Sequence, residues 1–422
     1  MTISRITTVL ASQAHSVSDA KGRHLTRFAL ALCTALTPVW ALSDTLPTGG
    51  TVVHGAAQIS TPTPGAMTIN QSSDRAVVNW DGFSIGQGNR VDINQPGASS
   101  AILNRVTGDT TSQIHGQLNA NGRVFVVNPN GIFIGPTGSV NSGGFVASTL
   151  NMRTDDFVTG KTVFEGNGAS ATVENAGNIQ VVTGGYAALI GGKVKNSGTI
   201  QAPLGFVGLG SGERVTLDLA GDGFLQVAVP TNSEDDGLEA LIENSGTIQA
   251  NGGTIQISAA TARNAARHAI NMSGVVEART VSGRNGRITL GGGSGGKVTV
   301  SGKVRTRTRP AIQVTESVRP TLRPERGGDI TITGREIALA GAEIDASGTN
   351  GGGDIRIGGE YQGGAGLPTA QVLSVDTSTS ISADGITAGD GGRIILWSDV
   401  HTTFAGKLST RGGFESGNGG LA

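Results

Sequence analysis

The 422-residue chain carries 31 Lys and Arg against 32 Asp and Glu, a net charge of -1 that excludes a strong global attraction to nucleic acid or to an anionic membrane surface. Its single cysteine, Cys33, falls near the N-terminus, so disulfide stapling, thiol catalysis and cysteine-ligated metal are excluded from the rest of the chain. Glycine supplies 68 of 422 residues, about 16% where roughly 7% is usual, and keeps no three-residue period, while aromatics are only 4%; collagen and a bulky globular core are both excluded.

Residues 1–43 differ from everything after them. Arg5, Lys21, Arg23 and Arg27 precede an apolar stretch from Phe28 to Leu36, and small residues follow around Ala41 and Ser43. That order predicts a secretory signal peptide with an extended basic region, cut between Ser43 and Asp44 or, alternatively, at Ala41. The apolar stretch is shorter than the roughly 20 residues that span a bilayer, and no later segment approaches that length.

Residues 51–150 repeat only loosely, the pattern expected of an end that covers the open edge of a repeat array. Within them, GRVFVVNPNGIFIGP (122–136) sets two apolar β-type runs on either side of Asn128, Pro129, Asn130 and Gly131. Proline fixes φ, asparagine tolerates left-handed geometry and glycine adds no steric penalty, so a tight turn is predicted there.

From Glu174 a short sentence recurs: ENAGNIQ, KNSGTIQA from Lys195, ENSGTIQA from Glu243, NMSGVVEA from Asn271, then the looser TVSGKVRT from Thr299 and ISADGITAG from Ile381. A second sentence alternates with it, in which a Gly pair precedes a β-branched alternation: GGKVKN, GGTIQIS, GGKVTV, GGDITIT, GGDIRIG and GGRIILW. The first interval is 21 residues and the next 48, the longer step reading as one skipped or expanded coil. Such periods mark a solenoid. Helical periodicity is almost absent outside the leader and a short piece near Thr261 to Ile270.

The predicted fold is therefore all-β: a right-handed parallel β-helix with an N-terminal β-rich cap and extra-helical hairpins, in which ladders between coils replace disulfides. Asn175, Asn196 and Asn244, each just before a corner, are expected to form a structural ladder inside the turns.

Three segments of the chain resemble a known family. VNWDGFSIGQGNRVDINQPGASSAILNRVTG, SQIHGQLNANGRVFVVNPNGIFIG and GGFVASTLNM are similar to the N-terminal secretion domain of two-partner-secretion proteins, the filamentous haemagglutinin and high-molecular-weight adhesin family. The likeness covers roughly residues 50 to 230, and GGRIILWSDVHTTFAGKLSTRGG resembles a later repeat of the same adhesins. It rests on the order of Asn104-Arg105-Val106, then Asn128-Pro129-Asn130-Gly131-Ile132, then Ala147-Ser148-Thr149-Leu150. A second Asn-Pro-Asn-Leu motif, present in some members, is missing, which favours the high-molecular-weight adhesin branch.

What the resemblance implies is an exoprotein that crosses the inner membrane by the general export machinery, stays unfolded in the periplasm and is threaded through a cognate outer-membrane β-barrel transporter with periplasmic docking domains, to be released or held at the surface of a Gram-negative bacterium. In that family the Asn-Pro-Asn-Gly-Ile segment is required for secretion; here it is Asn128 to Ile132. The division expected is a signal peptide at 1–43, a secretion domain at 44–230 and a β-helical stalk at 231–422 that continues past residue 422. The whole would be an adhesin-like surface protein with a host-cell or glycan receptor; the alternative is the delivery region of a larger toxin or polysaccharide-acting enzyme.

Other candidate sites carry weaker patterns. Lys303, Arg305, Arg307 and Arg309 alternate, so on a strand they would share one face able to hold an anion, whereas in a solvated loop they would hold nothing. Glu234, Asp235, Asp236 and Glu239 match no calcium-loop spacing, and His54, His115, His268 and His401 have no metal-ligand spacing. Asp329, Asp345, Asp354 and Asp384 are spread over separate repeats, although folding could stack some of them, and no catalytic constellation is evident. No metal, cofactor, enzymatic activity or nucleic-acid partner is expected.

Overall fold

Runs of three to six alternating residues, separated by corners rich in Gly, wind into the parallel β-helix seen in the computed structural model, which describes residues 45–422 apart from 169–170, 219–223, 231–238, 263–266, 282, 309–324 and 365. The leader and its Ser43/Asp44 junction lie outside the described residues, as do Glu234, Asp235, Asp236 and Arg309. Each coil visits three sheets in turn. Among the described residues sheet I has 12 strands, sheet II 10 and sheet III 13, and all pair in parallel except at the N-terminal end and in one satellite. No helix among them is long and apolar enough to cross a membrane.

The repeats of the sequence are the register of the ladder. Glu174 pairs with Lys195, Lys195 with Glu243, Glu243 with Asn271 and Asn271 with Thr299, all on sheet II. The 48-residue step is one expanded coil: between Phe206–Ser211 and Ile242–Asn244 the chain leaves the helix to make the strands Arg214–Leu217 and Leu225–Val229. ISADGITAG is out of phase with the rest, because Ile381 stacks on Ile344 in sheet III and not on the sheet II column. The Gly-pair sentence opens sheet I strands four times and sheet II strands twice.

Glycine marks the corners because coils there touch through their backbones. A Cβ on Gly246 would stand 2.2 Å from the Gly198 carbonyl oxygen, and one on Gly253 would stand 2.0 Å from that of Gly205. Between corners, inward columns of aliphatic side chains fill the interior, such as Ile255, Ile288, Ile330 and Ile355 on sheet I, all 0% exposed. Asn175, Asn196 and Asn244 end their sheet II strands inside this column of coils; Asn175 Nδ2 donates to Asn196 Oδ1 at 2.7 Å and Asn196 Nδ2 to Asn244 Oδ1 at 2.6 Å. The buried amides are thus satisfied by one another.

Three expectations need correction. The N-terminal cap is smaller than 51–150: Thr51–His54 and Ala57–Thr63 pair antiparallel with Arg75–Trp80 and Ala66–Gln71, and regular coils begin by Arg75. Unequal corner lengths hide the early repeats from sequence. Of the helical piece expected near Thr261 to Ile270, residues 263–266 lie outside the described residues, and Arg267 to Ile270 belong instead to the sheet II strand Arg267–Met272, which pairs in parallel with Gly296–Val300 through a register shift between His268 and Ile270. A one-turn helix does occur where none was expected, at Thr154–Val158, with Asp155 and Asp156 in its first turn.

That helix belongs to a satellite on the outer face of sheet I. Val163–Glu165, Arg214–Leu217 and Leu225–Val229 form an antiparallel sheet, and with Phe157, Phe164 and Phe224 they bury Val77, Leu103, Phe125, Val146 and Ala188 from outside. Sheet I is therefore apolar on both faces in its early coils, which is why VFVV and YAALI read as unbroken apolar runs while TIQIS alternates.

Candidate functional site

The three motif segments lie on, or directly follow, successive strands of sheet I. Asn104 pairs with Val126 and Arg105 with Val127, and Val127 in turn pairs with Ser148, so Asn104-Arg105-Val106, the residues entering Asn128, and Ala147-Ser148-Thr149-Leu150 form one column. Their strands all end at the corner where the chain passes from sheet I to sheet II.

Asn104 faces inward at 0% exposure; its Oδ1 accepts from the Trp80 indole at 3.0 Å and its Nδ2 donates to the Phe125 carbonyl. Arg105 points the other way and donates to the Met152 carbonyl at 2.6 Å and to Thr154 Oγ1, anchoring the satellite helix, and burial lowers its pKa. Ser148 Oγ accepts from the Leu150 N–H, and Thr149 Oγ1 donates to the Ala171 carbonyl. Val106, Ala147 and Leu150 are buried in the two cores.

Asn128 is the tightest point of the column. Fully buried, it donates through Nδ2 to the Thr110 carbonyl and to Ser112 Oγ, both at 2.9 Å, accepts at Oδ1 from the Asn130 N–H, and donates its own N–H to the Ser148 carbonyl. One side chain and its backbone therefore tie together three coils. Pro129 and Asn130 form the exposed tip, with Asn130 Nδ2 donating to the Gly108 carbonyl at 2.8 Å. Gly131 is buried at φ +115°, where a side chain would strain the backbone, and Ile132 starts the sheet II strand pointing into the core. In the folded state only Pro129 and Asn130 of the five motif residues reach solvent.

The remaining candidates are dispersed. Lys303 and Arg305 lie on a sheet III strand, not in a loop leaving the helix, and both are paired with Glu343, at 3.7 and 2.6 Å, while Arg307 meets Asp345 at 3.5 Å. These carboxylates oppose an anionic ligand. Glu239 pairs with Lys193 and Lys195. Asp329 does stack on Asp354, and burial foremost raises its pKa, but Arg287, Arg356 and Arg393 flank the pair; Asp345 and Asp384 lie elsewhere, Asp384 bound by Arg411. His115 packs edge-on against Phe133. Among the described residues no three His, Cys, Asp or Glu side chains gather as a metal site would require.

A family model, the TPS secretion domain, matches residues 43–306. The chain belongs to the TPS secretion domain family. Domains of this kind address an exoprotein to a cognate outer-membrane transporter for passage across the outer membrane of Gram-negative bacteria. The crystal structure of the HMW1 secretion domain from Haemophilus influenzae is similar at 31% identity and a TM-score of 0.75, over 89% of this chain and 94% of that one. Two heme/hemopexin-binding proteins of H. influenzae are 33% identical over 265 residues and 37% identical over 122 residues, which is 60% and 29% of this chain. The aligned parts span 28% and 13% of those longer proteins, so this TPS secretion domain corresponds to a minor fraction of their length.

The column of motifs is a joint that sequence reasoning saw only as separate words. The corner's depth is not legible in the sequence, since nothing in the string Asn-Pro-Asn-Gly says which asparagine is buried. The nearest signal was the unbroken apolar run before Asn128, which requires both faces of its strand to be covered.

Proposed function

We propose that this chain is the export-directing N-terminal region of a larger, adhesin-like exoprotein, and that Asn128, Pro129, Asn130, Gly131 and Ile132 are read by the transporter before their coil closes. The observation carrying this reading is the burial of Asn128, Gly131 and Ile132 in the folded corner. A partner that recognises the whole segment needs it unfolded. Residues 1–43 would direct passage through the inner membrane by the general export machinery, cut at Ser43/Asp44, residues 44–230 would engage periplasmic docking domains of the transporter, and residues 231–422 would form the first part of a surface stalk with no catalytic role. The product would be secreted or held at the cell surface.

Export of the chain should be compared in hosts with and without the transporter, scoring protein in the medium against protein trapped in the periplasm. Release is expected only with the transporter, and Asn130→Ala should cut release several-fold while leaving the melting temperature of the purified chain nearly unchanged. Equal release in both hosts, or parallel loss of export and stability, overturns the reading.

A second reading of the parent protein comes from the two relatives named for heme and hemopexin: its downstream part would capture such a ligand in place of a cell receptor. Titration of the parent exoprotein with heme and with hemopexin tests it, and absence of binding to both discards it.

A further inference from the structure

We infer that the outer face of sheet III, near the N-terminal end, is a binding groove for a linear, neutral oligosaccharide lying along the helix axis. A single outward column of this sheet runs Asp92, Asn119, Asn141, Gln180, Gln201, Gln249 in unbroken register, five carboxamides on consecutive coils. The first part of that column floors a groove of about 610 Å³, with Asn94, Asn121 and Val182 along its wall. Val182 is 53% exposed and, with the partly exposed Ala120, gives the groove an apolar contact beside its carboxamides.

The outward column differs from the buried asparagine ladder in one respect that points to a ligand. Inside, the amide links from Asn175 to Asn196 to Asn244 are all made. Outside, Asn119 donates to Asp92 at 2.9 Å, Asn141 to Asn119 at 3.2 Å, and Gln201 to Gln249 at 3.2 Å, but Gln180, exposed between the two halves, bonds to neither neighbour. Its carboxamide offers two donors and an acceptor to whatever enters the groove, and each bonded amide beside it keeps a second N–H free.

Charge selects the ligand class. Asp92 is paired with Arg90 at 3.1 Å, and among the described residues lining the groove no other charged side chain occurs, so neither an anion nor a cation is favoured there. Further along the same column the carboxamides give way to Glu277, Arg305 and Asp345, and the neutral character ends. Paired donors and acceptors repeating at about 4.8 Å suit the hydroxyls of an extended sugar chain, and Val182 suits the C–H face of a pyranose ring. This inference does not depend on how the chain is exported.

The test uses the full mature chain, titrated by saturation-transfer NMR and calorimetry with cellohexaose, which is extended, maltohexaose, which coils, and an oligogalacturonate hexamer as the charged counterpart. Cellohexaose should bind saturably and more tightly than the other two. Gln180→Ala should weaken it by about tenfold, the equivalent of one lost neutral hydrogen bond with its partner left unpaired, with no change in melting temperature. Gln249→Ala, in the same column but outside the groove, should leave affinity within about twofold. Failure of cellohexaose to bind, equal or tighter binding of the oligogalacturonate, or an unaltered affinity in Gln180→Ala each overturns the inference.

Discussion

At the residue scale, the two asparagines of the Asn128-Pro129-Asn130 turn have opposite jobs. Asn128 is a buried joint whose amide serves the Thr110 carbonyl, Ser112 and the Asn130 N–H, whereas Asn130 sits at the solvent-exposed tip. Asn128→Ala removes the donor to the buried Ser112 Oγ and to the Thr110 carbonyl and the acceptor of the Asn130 N–H, and should cost about 2–3 kcal/mol, while Asn130→Ala should cost under about 1 kcal/mol, both measured by denaturant unfolding of the purified chain. The sequence contains both residues but not their depth. Depth is set by Ser112, 16 positions earlier, and by Ser148, 20 positions later, contacts that only the stacking of coils creates.

At the element scale, corners carry as much of the fold as strands do. Asp376 shows how a corner is tied to the coil beneath it: the Thr379 hydroxyl first, then the Gly341 N–H and the Ser378 hydroxyl, hold its carboxylate at a pKa of about 2. Because the folded pKa is depressed below the unfolded value of about 3.9, the stabilisation is fully present above pH 4 and is lost as pH falls through about 2. Melting temperature followed from pH 5 to 2 should therefore fall more steeply in the wild-type chain than in Asp376→Asn, whose profile should be flatter over that window. The recurrence of Asn-Ser-Gly was legible in advance as a corner, since close backbone approach admits only glycine there. The phase of ISADGITAG was not, because its likeness to the earlier sentence is compositional while its register is set by Ile344.

On the whole-molecule scale, coils are coupled twice, by the ladders and by the satellite. Phe157 packs against Phe125 and under Arg75, and Gln256 bonds both the N–H and the carbonyl of Leu225, so the satellite reaches from the first regular coil to one near the middle of the chain. Under the proposed threading route, coils that emerge can add to those already folded outside, and the repeat architecture makes each addition a nearest-neighbour event. Gly246→Ala tests this link. Its Cβ would collide with the Gly198 carbonyl, which should destabilise the purified chain by about 1–3 kcal/mol and slow its appearance in the medium in a pulse-chase; an unaltered export rate beside a lowered stability would sever folding from export.

What the sequence by itself determined was everything carried by local period and local sterics: the β-helix, from alternation broken by glycine corners; the pairing of Glu174, Lys195 and Glu243, from their repeat; and the family, from three ordered motifs. Tertiary structure alone decided which faces were buried and which charges met. VFVV at Val124–Val127 is apolar on both sides because Phe157, some 30 positions later, covers its outer face, and Lys303, Arg305 and Arg307 meet carboxylates because Glu343 and Asp345 arrive one coil further on. The physical reason is the same in each case. A strand's alternation reports only its own two faces, whereas burial and charge pairing depend on what the next coil, or a segment outside the helix, lays against them.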